Sequence, residues 1–120
     1  MLRLSTDVFV IGAGGAGMYA AVSAARSGAE VILADKSLIS RGGATIMAQM
    51  TVAAAVGHRE ADHWTHHLAD TLEAGHGLCN ERLARVLCEE APKRIMEMED
   101  WKVGWARDET GRMAQVMAPG

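Results

Sequence analysis

The chain has 120 residues, which is room for one domain at most and enough to bury a modest core. Hydrophobic residues make up 49% and charged residues 22%, close to the usage of soluble proteins, and the formal net charge is −3. This charge excludes a strongly basic surface for nucleic acid or anionic lipid, and it favours a small-molecule partner.

The sequence predicts neither a membrane span nor an export segment. Its longest apolar stretch, residues 45–56, is too short to cross a bilayer, and the N-terminus lacks the charged, apolar and cleavage regions of a signal peptide. We therefore expect a cytoplasmic protein without direct membrane insertion. The two cysteines, Cys79 and Cys88, form no C-x-x-C pair, so reduced and mostly buried thiols are favoured over a disulfide, a zinc site or an iron–sulfur cluster.

The first elements along the chain form a strand–helix–strand unit over about residues 6–36. The β-branched and aromatic run Val8–Ile11 predicts a strand buried on both faces of a parallel sheet. A helix is predicted over residues 16–27, and Gly28 can end it. The apolar run Val31–Ala34 predicts the second strand.

The segment of about residues 45–99 is predicted to be helical. Its alanine-rich start, residues 45–56, favours a buried helix. Asp62 can cap a second helix that ends near Gly75, Asn80 can cap a third, and Pro92 suits the first turn of a further short helix. The side chains expected to face inward are Trp64, Leu68 and Leu72 in the second helix and Leu83, Val86 and Leu87 in the third.

The last segment, about residues 101–117, predicts a short β-hairpin around a turn at residues 108–111. The fold class is therefore α/β: a βαβ unit followed by helices and a hairpin. Only two parallel strands are found, and a two-stranded parallel sheet leaves backbone groups and faces uncovered. We therefore expect the chain to be an incomplete part of a larger domain.

A glycine-rich turn, "GAGGAG", directly follows the first strand. Gly12, Gly14 and Gly17 have G-x-G-x-x-G spacing, which permits a sharp turn, close approach of a pyrophosphate and close packing of the helix on the strand. Asp35 lies 18 residues after Gly17, where a carboxylate accepts hydrogen bonds from a ribose and repels a 2′-phosphate. The pattern predicts a Rossmann-like FAD/NAD(P)-binding unit that prefers NAD or FAD to NADP, and it leaves those two open.

Four stretches of the sequence resemble one family. They are "VIGAGGAGMYAAVSAARSGAEVILADK", "SRGGATIMAQ", "DTLEAGHGLCNERLARVLCEEAP" and "GWARDETGRMAQVMAPG". Together they are similar to the flavoprotein subunits of succinate dehydrogenase and fumarate reductase, and to L-aspartate oxidase. The resemblance implies that the chain is the N-terminal part of an FAD-binding domain, without its capping and C-terminal parts.

The cofactor that the resemblance implies is FAD. Ala44 stands where membrane-bound members carry the histidine that links covalently to the flavin, so non-covalent FAD is implied. Met50 and Thr51 replace a pair of glycines in the family pattern. The implied cofactor-binding residues are Gly12, Gly14, Gly15, Ala16 and Gly17 at the pyrophosphate, Asp35 and Lys36 at the adenosine end, and Gly43, Thr45, Ala48 and Gln49 toward the flavin.

For the complete protein the resemblance implies hydride transfer between FAD and a C4 dicarboxylate substrate. The catalytic arginine and the substrate clamp of the family belong to later sequence, so no catalytic residue is assigned here and this segment alone is expected to be inactive. An iron–sulfur partner subunit, and through it a place at the inner face of the membrane, is also compatible with the resemblance. The alternatives are an L-aspartate oxidase type of flavoenzyme and a non-catalytic module that binds NAD or AMP.

The histidines are the remaining candidates for chemistry. His63 and His67 are four residues apart on one predicted helix, yet no third ligand has matching spacing, so a solvated helix face is favoured over a metal site. Asp70 and Thr71 match a pair in the family; a role on the flavin side or in contact with the capping domain, and a plain helix end, all stay open for them.

Overall fold

A computed structural model describes residues 3–39, 41–48 and 51–116 of the chain. The chain forms two compact units, residues 1–50 and residues 51–120, and each is described by itself. In the first unit two strands pair with each other, and in the second unit two helices pack against each other.

The first unit is the predicted strand–helix–strand unit. Strand β1 (Val8–Ile11) pairs in parallel with strand β2 (Val31–Ala34), and helix α1 (Gly15–Arg26) connects them. The register places Val8 opposite Val31 and Ile11 opposite Ala34. The two strand ranges agree with the prediction, and the helix begins and ends one residue earlier than predicted.

Helix α1 ends in the manner that its following glycine predicts. Gly28 has φ +89°, its N–H donates to the Ala25 carbonyl, and the N–H of Ala29 donates to the Ala24 carbonyl. This pair of bonds is a Schellman motif, which needs a left-handed residue just after the helix. The chain thereby turns directly into β2.

One face of β1 is exposed within the described residues, so the prediction that β1 is buried on both faces is wrong. Helix α1 packs on the side of Val10, because a Cβ built on Gly17 would lie 3.5 Å from Val10 Cγ1. The opposite side carries Phe9 and Ile11, which are 57% and 81% exposed. The strands of parallel sheets are apolar on both faces, but a single helix can cover only one of them. The other face of β1 therefore stays exposed.

The segment after β2 corrects the prediction of a buried helix over residues 45–56. A single 3₁₀ turn (Thr45–Met47) is formed, Ala48 is extended with ψ 149°, and residues 51–57 have no regular structure. Alanine-rich composition is only a weak preference for helix, and most helices depend for their stability on packing of an apolar face. Most of the side chains here are exposed, and Ala55 alone among the described ones is buried.

The second unit is built on two helices, α2 (Trp64–Ala74) and α3 (Glu81–Asp100). Leu68 of α2 packs with Ala84 and Cys88 of α3 to form its core, and Trp64 and Leu72 border that core. The three residues predicted to face inward from α2 are therefore confirmed. Cys88 is fully buried as expected, whereas Cys79 is exposed, contrary to the prediction of two buried thiols.

The helix caps show one confirmation and one correction. Asn80 caps α3, since its side-chain oxygen accepts the Leu83 N–H at 3.1 Å. Helix α2 is capped by His63 instead of Asp62: a ring nitrogen of His63 accepts the Thr65 N–H. The carboxylate of Asp62 accepts the N–H of His63, the residue before the helix, at 2.7 Å.

Helix α3 differs from the prediction in its length and in its buried face. It runs through Pro92 as one helix of 20 residues, so no new helix begins there. Its buried residues are Ala84, Cys88 and Ile95. The side chains predicted to face inward, Leu83, Val86 and Leu87, are 55–59% exposed. Because successive residues turn by about 100°, packing through the smaller residues Ala84 and Cys88 rotates the leucines away from α2.

The predicted hairpin over residues 101–117 is reduced to its turn within the described residues. Arg107 and Met113 form an isolated antiparallel bridge instead of two strands. Asp108 holds the turn, because its carboxylate accepts the N–H groups of Thr110 and Arg112 and the hydroxyl of Thr110. The turn at residues 108–111 is thus confirmed, and Met117 lies outside the described residues.

Candidate functional site

The glycine turn joins the end of β1 to the start of α1. Gly12 has φ +104°, a conformation that side-chain-bearing residues rarely adopt, and its N–H donates to the Ala34 carbonyl at 2.7 Å. Gly14 is the N-cap of α1. The turn therefore leaves β1 while it stays bonded to the last residue of β2.

Gly17 permits the close approach of helix and turn. A Cβ built on this residue would overlap the carbonyl group of Gly12, and backbone atoms cannot swing aside as a side chain can. The predicted role of the third glycine, close packing of helix against strand, is the role that the structure gives it. The first turn of α1 is thereby held over the end of β1.

The start of α1 presents several backbone donors. Within the described residues, the N–H groups of Gly14, Ala16 and Gly17 have no acceptor, whereas the N–H of Gly15 donates to Thr45 Oγ1 at 2.9 Å. Helix α1 also carries no acidic residue in its first turn. Free N–H groups and the positive end of the helix dipole together make a site for an anion.

Asp35, directly after β2, is bonded back to the glycine turn. One carboxylate oxygen accepts the Ala13 N–H at 2.5 Å, and the other accepts the N–H and the hydroxyl of Ser37 at 2.8 and 2.7 Å. The bond from Ala13, the bonds from Ser37 and the nearby charge of Lys36 lower the pKa of Asp35 from 3.8 to about 2. The carboxylate is therefore ionised at neutral pH and positions the turn.

Ala13 and Ser37 are the site residues that sequence reasoning missed. Ala13 is only 1% exposed, and its N–H is the first partner of Asp35. Nothing about an alanine in a glycine-rich run indicates this bond. For Ser37 a signal exists, because an aspartate readily accepts bonds from the residue two positions on. Gly42 packs so closely here that a Cβ would overlap the Ser37 hydroxyl.

Lowering the pH should test the bonds of Asp35. Its folded pKa is depressed, so the stability it contributes is complete above pH 3.8 and is lost as the pH falls toward about 2. We expect the free energy of unfolding of wild type, relative to the Asp35→Asn variant, to decline across this interval. Urea unfolding of both proteins at several pH values measures the difference, and a difference that stays constant between pH 4 and pH 2 would contradict the role of Asp35.

The loop after β2 brings further predicted residues to the turn. Gly43 packs on it, because a Cβ there would lie 3.9 Å from the Gly14 Cα, and Thr45 bonds to Gly15. Lys36, Ala44 and Ala48 are exposed, and among the described residues no hydrogen bond or ion pair joins their side chains to the turn. Gln49 and Met50 lie outside the described residues.

Two histidines of the second unit, His58 and His63, serve local structure. His63 caps α2, and a ring nitrogen of His58 lies 2.8 Å from the Met113 carbonyl. Thr71 donates to the His67 carbonyl and contacts Cys88 Sγ at 3.6 Å, so it packs between the helices, and Asp70 is exposed. In the part of the chain that the structure describes, no three His, Cys, Asp or Glu side chains are grouped to hold a metal ion.

None of the described helices is long and apolar enough to span a membrane.

Comparison with known proteins agrees with the geometry of the turn. The sequence model of the FAD binding domain family matches residues 7–119. A succinate dehydrogenase flavoprotein subunit of Rickettsia bellii is 36% identical over 109 residues, which cover 91% of this chain and 18% of that protein. A fumarate reductase flavoprotein subunit of Mycobacterium tuberculosis is 32% identical over 112 residues, covering 90% of this chain and 18% of that protein.

A solved structure extends the agreement to the fold. A chain of the Mycobacterium smegmatis Sdh1 complex superposes with a TM-score of 0.90 and 37% identity, covering 99% of this chain and 20% of that one. The chain thus spans about a fifth of the length of these relatives. The chain belongs to the FAD binding domain family, and its predicted likeness to succinate dehydrogenase and fumarate reductase flavoproteins is confirmed.

Proposed function

We propose that this chain holds the adenosine diphosphate portion of FAD and forms the N-terminal cofactor-binding part of a flavoenzyme. The observation that carries the proposal is the set of N–H groups of Gly14, Ala16 and Gly17, which lack acceptors among the described residues at the start of α1. A pyrophosphate supplies negatively charged acceptors of the kind that this position favours. Gly12 and Gly15 complete the backbone that would face it.

The adenosine end of the cofactor would lie at Asp35 and Lys36. An ionised carboxylate offers about four lone-pair positions, and Asp35 uses three of them for Ala13 and Ser37. One position is left for a ribose hydroxyl, and the negative charge disfavours a phosphorylated ribose. Asp35 can thus bind the ribose and position the turn at the same time.

The flavin end would be reached by the loop after β2. Gly43, Thr45, Ala48 and Gln49 are the residues proposed there, and Ala44 offers no nucleophile for a covalent bond to the flavin. FAD is therefore proposed to be non-covalently bound. Bound FAD supplies hydride transfer, and the residues of this chain bind and orient it.

For the complete protein we propose the succinate dehydrogenase or fumarate reductase type of reaction, with a C4 dicarboxylate as substrate. The names of the flavoprotein relatives support this class. The solved structure to which the chain is similar is one chain of the Sdh1 complex, which supports the proposal that the complete protein has partner subunits. We propose that one of them is an iron–sulfur subunit. The proposed location is the cytoplasm, or the inner face of the membrane when partner subunits hold it there.

Cofactor titration tests the proposal on the longest natural chain that carries these 120 residues. Fluorescence titration should show saturable binding of FAD and much weaker binding of NAD and NADP. Acid precipitation of the loaded protein should then release all of the yellow colour into the supernatant. Tighter binding of NAD than of FAD would contradict the assignment of the cofactor, and flavin that stays in the pellet would contradict non-covalent binding.

A further inference from the structure

Helix α2 is capped by a histidine, whereas most helices are capped by aspartate, asparagine, serine or threonine. Nδ1 of His63 accepts the N–H of Thr65 at 3.4 Å and lies 2.8 Å from the Thr65 hydroxyl oxygen. A backbone N–H can only donate, so Nδ1 must be the acceptor and the imidazole must carry its proton on Nε2. The cap therefore requires the neutral form of His63.

Protonation of His63 removes this acceptor. In the imidazolium both ring nitrogens carry protons, so Nδ1 can still donate to the Thr65 hydroxyl but can no longer accept the Thr65 N–H. Histidine is the side chain that ordinarily changes its charge between pH 5 and pH 8. An asparagine or aspartate cap keeps its acceptor throughout this range.

The positive charge of the imidazolium also disfavours the start of the helix. The N-terminus of a helix is the positive end of its dipole, and α2 has no acidic residue in its first turn to offset a cation. His66 lies in the same turn, where its N–H donates to the His63 carbonyl at 3.0 Å, and His67 follows it. Protonation of either of these histidines adds positive charge near the same end.

The other charged groups around His63 act in opposite directions. On α3, which packs against α2, the Arg85 guanidinium lies 5.7 Å from the centre of the Trp64 ring, and that ring lies 5.6 Å from the ring of His63. Arg85 therefore adds a cation, whereas the Asp62 carboxylate, which accepts the His63 N–H at 2.7 Å, attracts one. Asp62 and His63 are both exposed, and attraction between exposed charges in water is weak. The lost acceptor and the helix dipole therefore determine the sign of the effect.

We propose that His63 is a pH-sensitive cap of helix α2. The first turn of the helix is closed while the imidazole is neutral, and it opens more often once the imidazole is protonated. The device concerns the second unit alone, so it does not depend on the proposed cofactor.

Hydrogen–deuterium exchange between pH 5 and pH 8 tests the proposal, because it reports the opening of one segment in a chain of any length. Dividing the exchange rate of the unstructured chain by the measured rate at the same pH gives a protection factor that is free of the direct effect of pH on exchange. In wild type the protection factor of residues 64–70 should fall roughly fivefold from pH 8 to pH 5, as expected for the loss of one cap.

Two variants assign this fall to the cap. His63→Asn supplies an uncharged oxygen acceptor, so the segment should keep most of its protection across the range. The matched control is His76→Asn, at an exposed histidine beyond the helix with φ +47°, a conformation that asparagine also adopts, and it should show the fall of wild type. The proposal is overturned if the protection in wild type is the same at pH 8 and pH 5, or if His63→Asn loses as much protection as wild type does.

Discussion

Replacing Gly17 by alanine should weaken FAD binding at least about 100-fold, because the substitution separates helix α1 from the glycine turn. The added Cβ would overlap the Gly12 carbonyl, which belongs to the backbone and cannot rotate away. Helix α1 must move, and the N–H groups of Gly14 and Ala16 move with it. Losing two charge-assisted hydrogen bonds of about 1.5–3 kcal/mol each accounts for the size of the effect.

The matched control for this substitution is Gly104→Ala. No atom lies within 4 Å of a Cβ built at Gly104, and its φ is not positive. Its affinity for FAD should therefore equal that of wild type in the same fluorescence titration. Circular dichroism of both variants reports how much helix each retains. An unchanged affinity in Gly17→Ala would show that the cofactor does not depend on the close packing of α1 on the turn.

Leu68→Ala should produce the largest loss of stability in the second unit. Leu68 is 8% exposed and is the largest of the three buried residues in the core between α2 and α3, beside Ala84 and Cys88. Truncating a buried leucine to alanine costs about 2–5 kcal/mol, because it removes apolar contacts and leaves a cavity. The midpoint of thermal unfolding of this unit, followed by circular dichroism at 222 nm, a wavelength standard for helix, should fall by roughly 10 °C or more.

Leu83→Ala is the matched control for that substitution. It makes the same chemical change on α3 at a side chain that is 59% exposed. Leucine and alanine are both good helix formers, so stability should change by about 0.5 kcal/mol or less. If the two variants lost equal stability, the buried face of α3 would include Leu83, as the sequence pattern alone suggests, and the packing described here would be wrong.

The strand–helix–strand unit could be predicted from the sequence because its signals are local and agree with one another. An apolar run marks each strand, Gly28 marks the end of α1, and three glycines mark the turn. Short-range backbone preference is enough to identify such elements. The bare face of β1 could not be predicted in the same way, because a β-branched run does not say which neighbours are present to cover it.

The second unit shows where local signals fail. Leu83, Val86 and Leu87 form the more apolar stripe of α3, yet Ala84 and Cys88 pack against α2. Small residues let two helices approach closely, and that gain depends on the partner helix, which a single-helix pattern does not contain. Pro92 likewise reads as a helix start, although the helix continues on both sides of it.

The residues of the candidate site could be predicted from the sequence, but most of the hydrogen bonds between them could not. The glycine spacing and the position of Asp35 could be identified because both follow directly from the ends of predicted strands. The distant partners of Asp35 and Thr45 are backbone N–H groups of residues 22 and 30 positions away, and every residue except proline carries such a group. The residue type of the donor therefore does not indicate that it makes such a long-range hydrogen bond.

The two bonds that join the glycine turn to the end of β2 also constrain the order in which this unit can fold. The N–H groups of Gly12 and Ala13 are paired with Ala34 and Asp35, so the turn reaches its native form only after a long loop has closed and the second strand has docked. Closing such a loop costs chain entropy before any contact is gained. We therefore expect the native turn to form late, once β2 has paired with β1, and not as a local motif of the isolated segment.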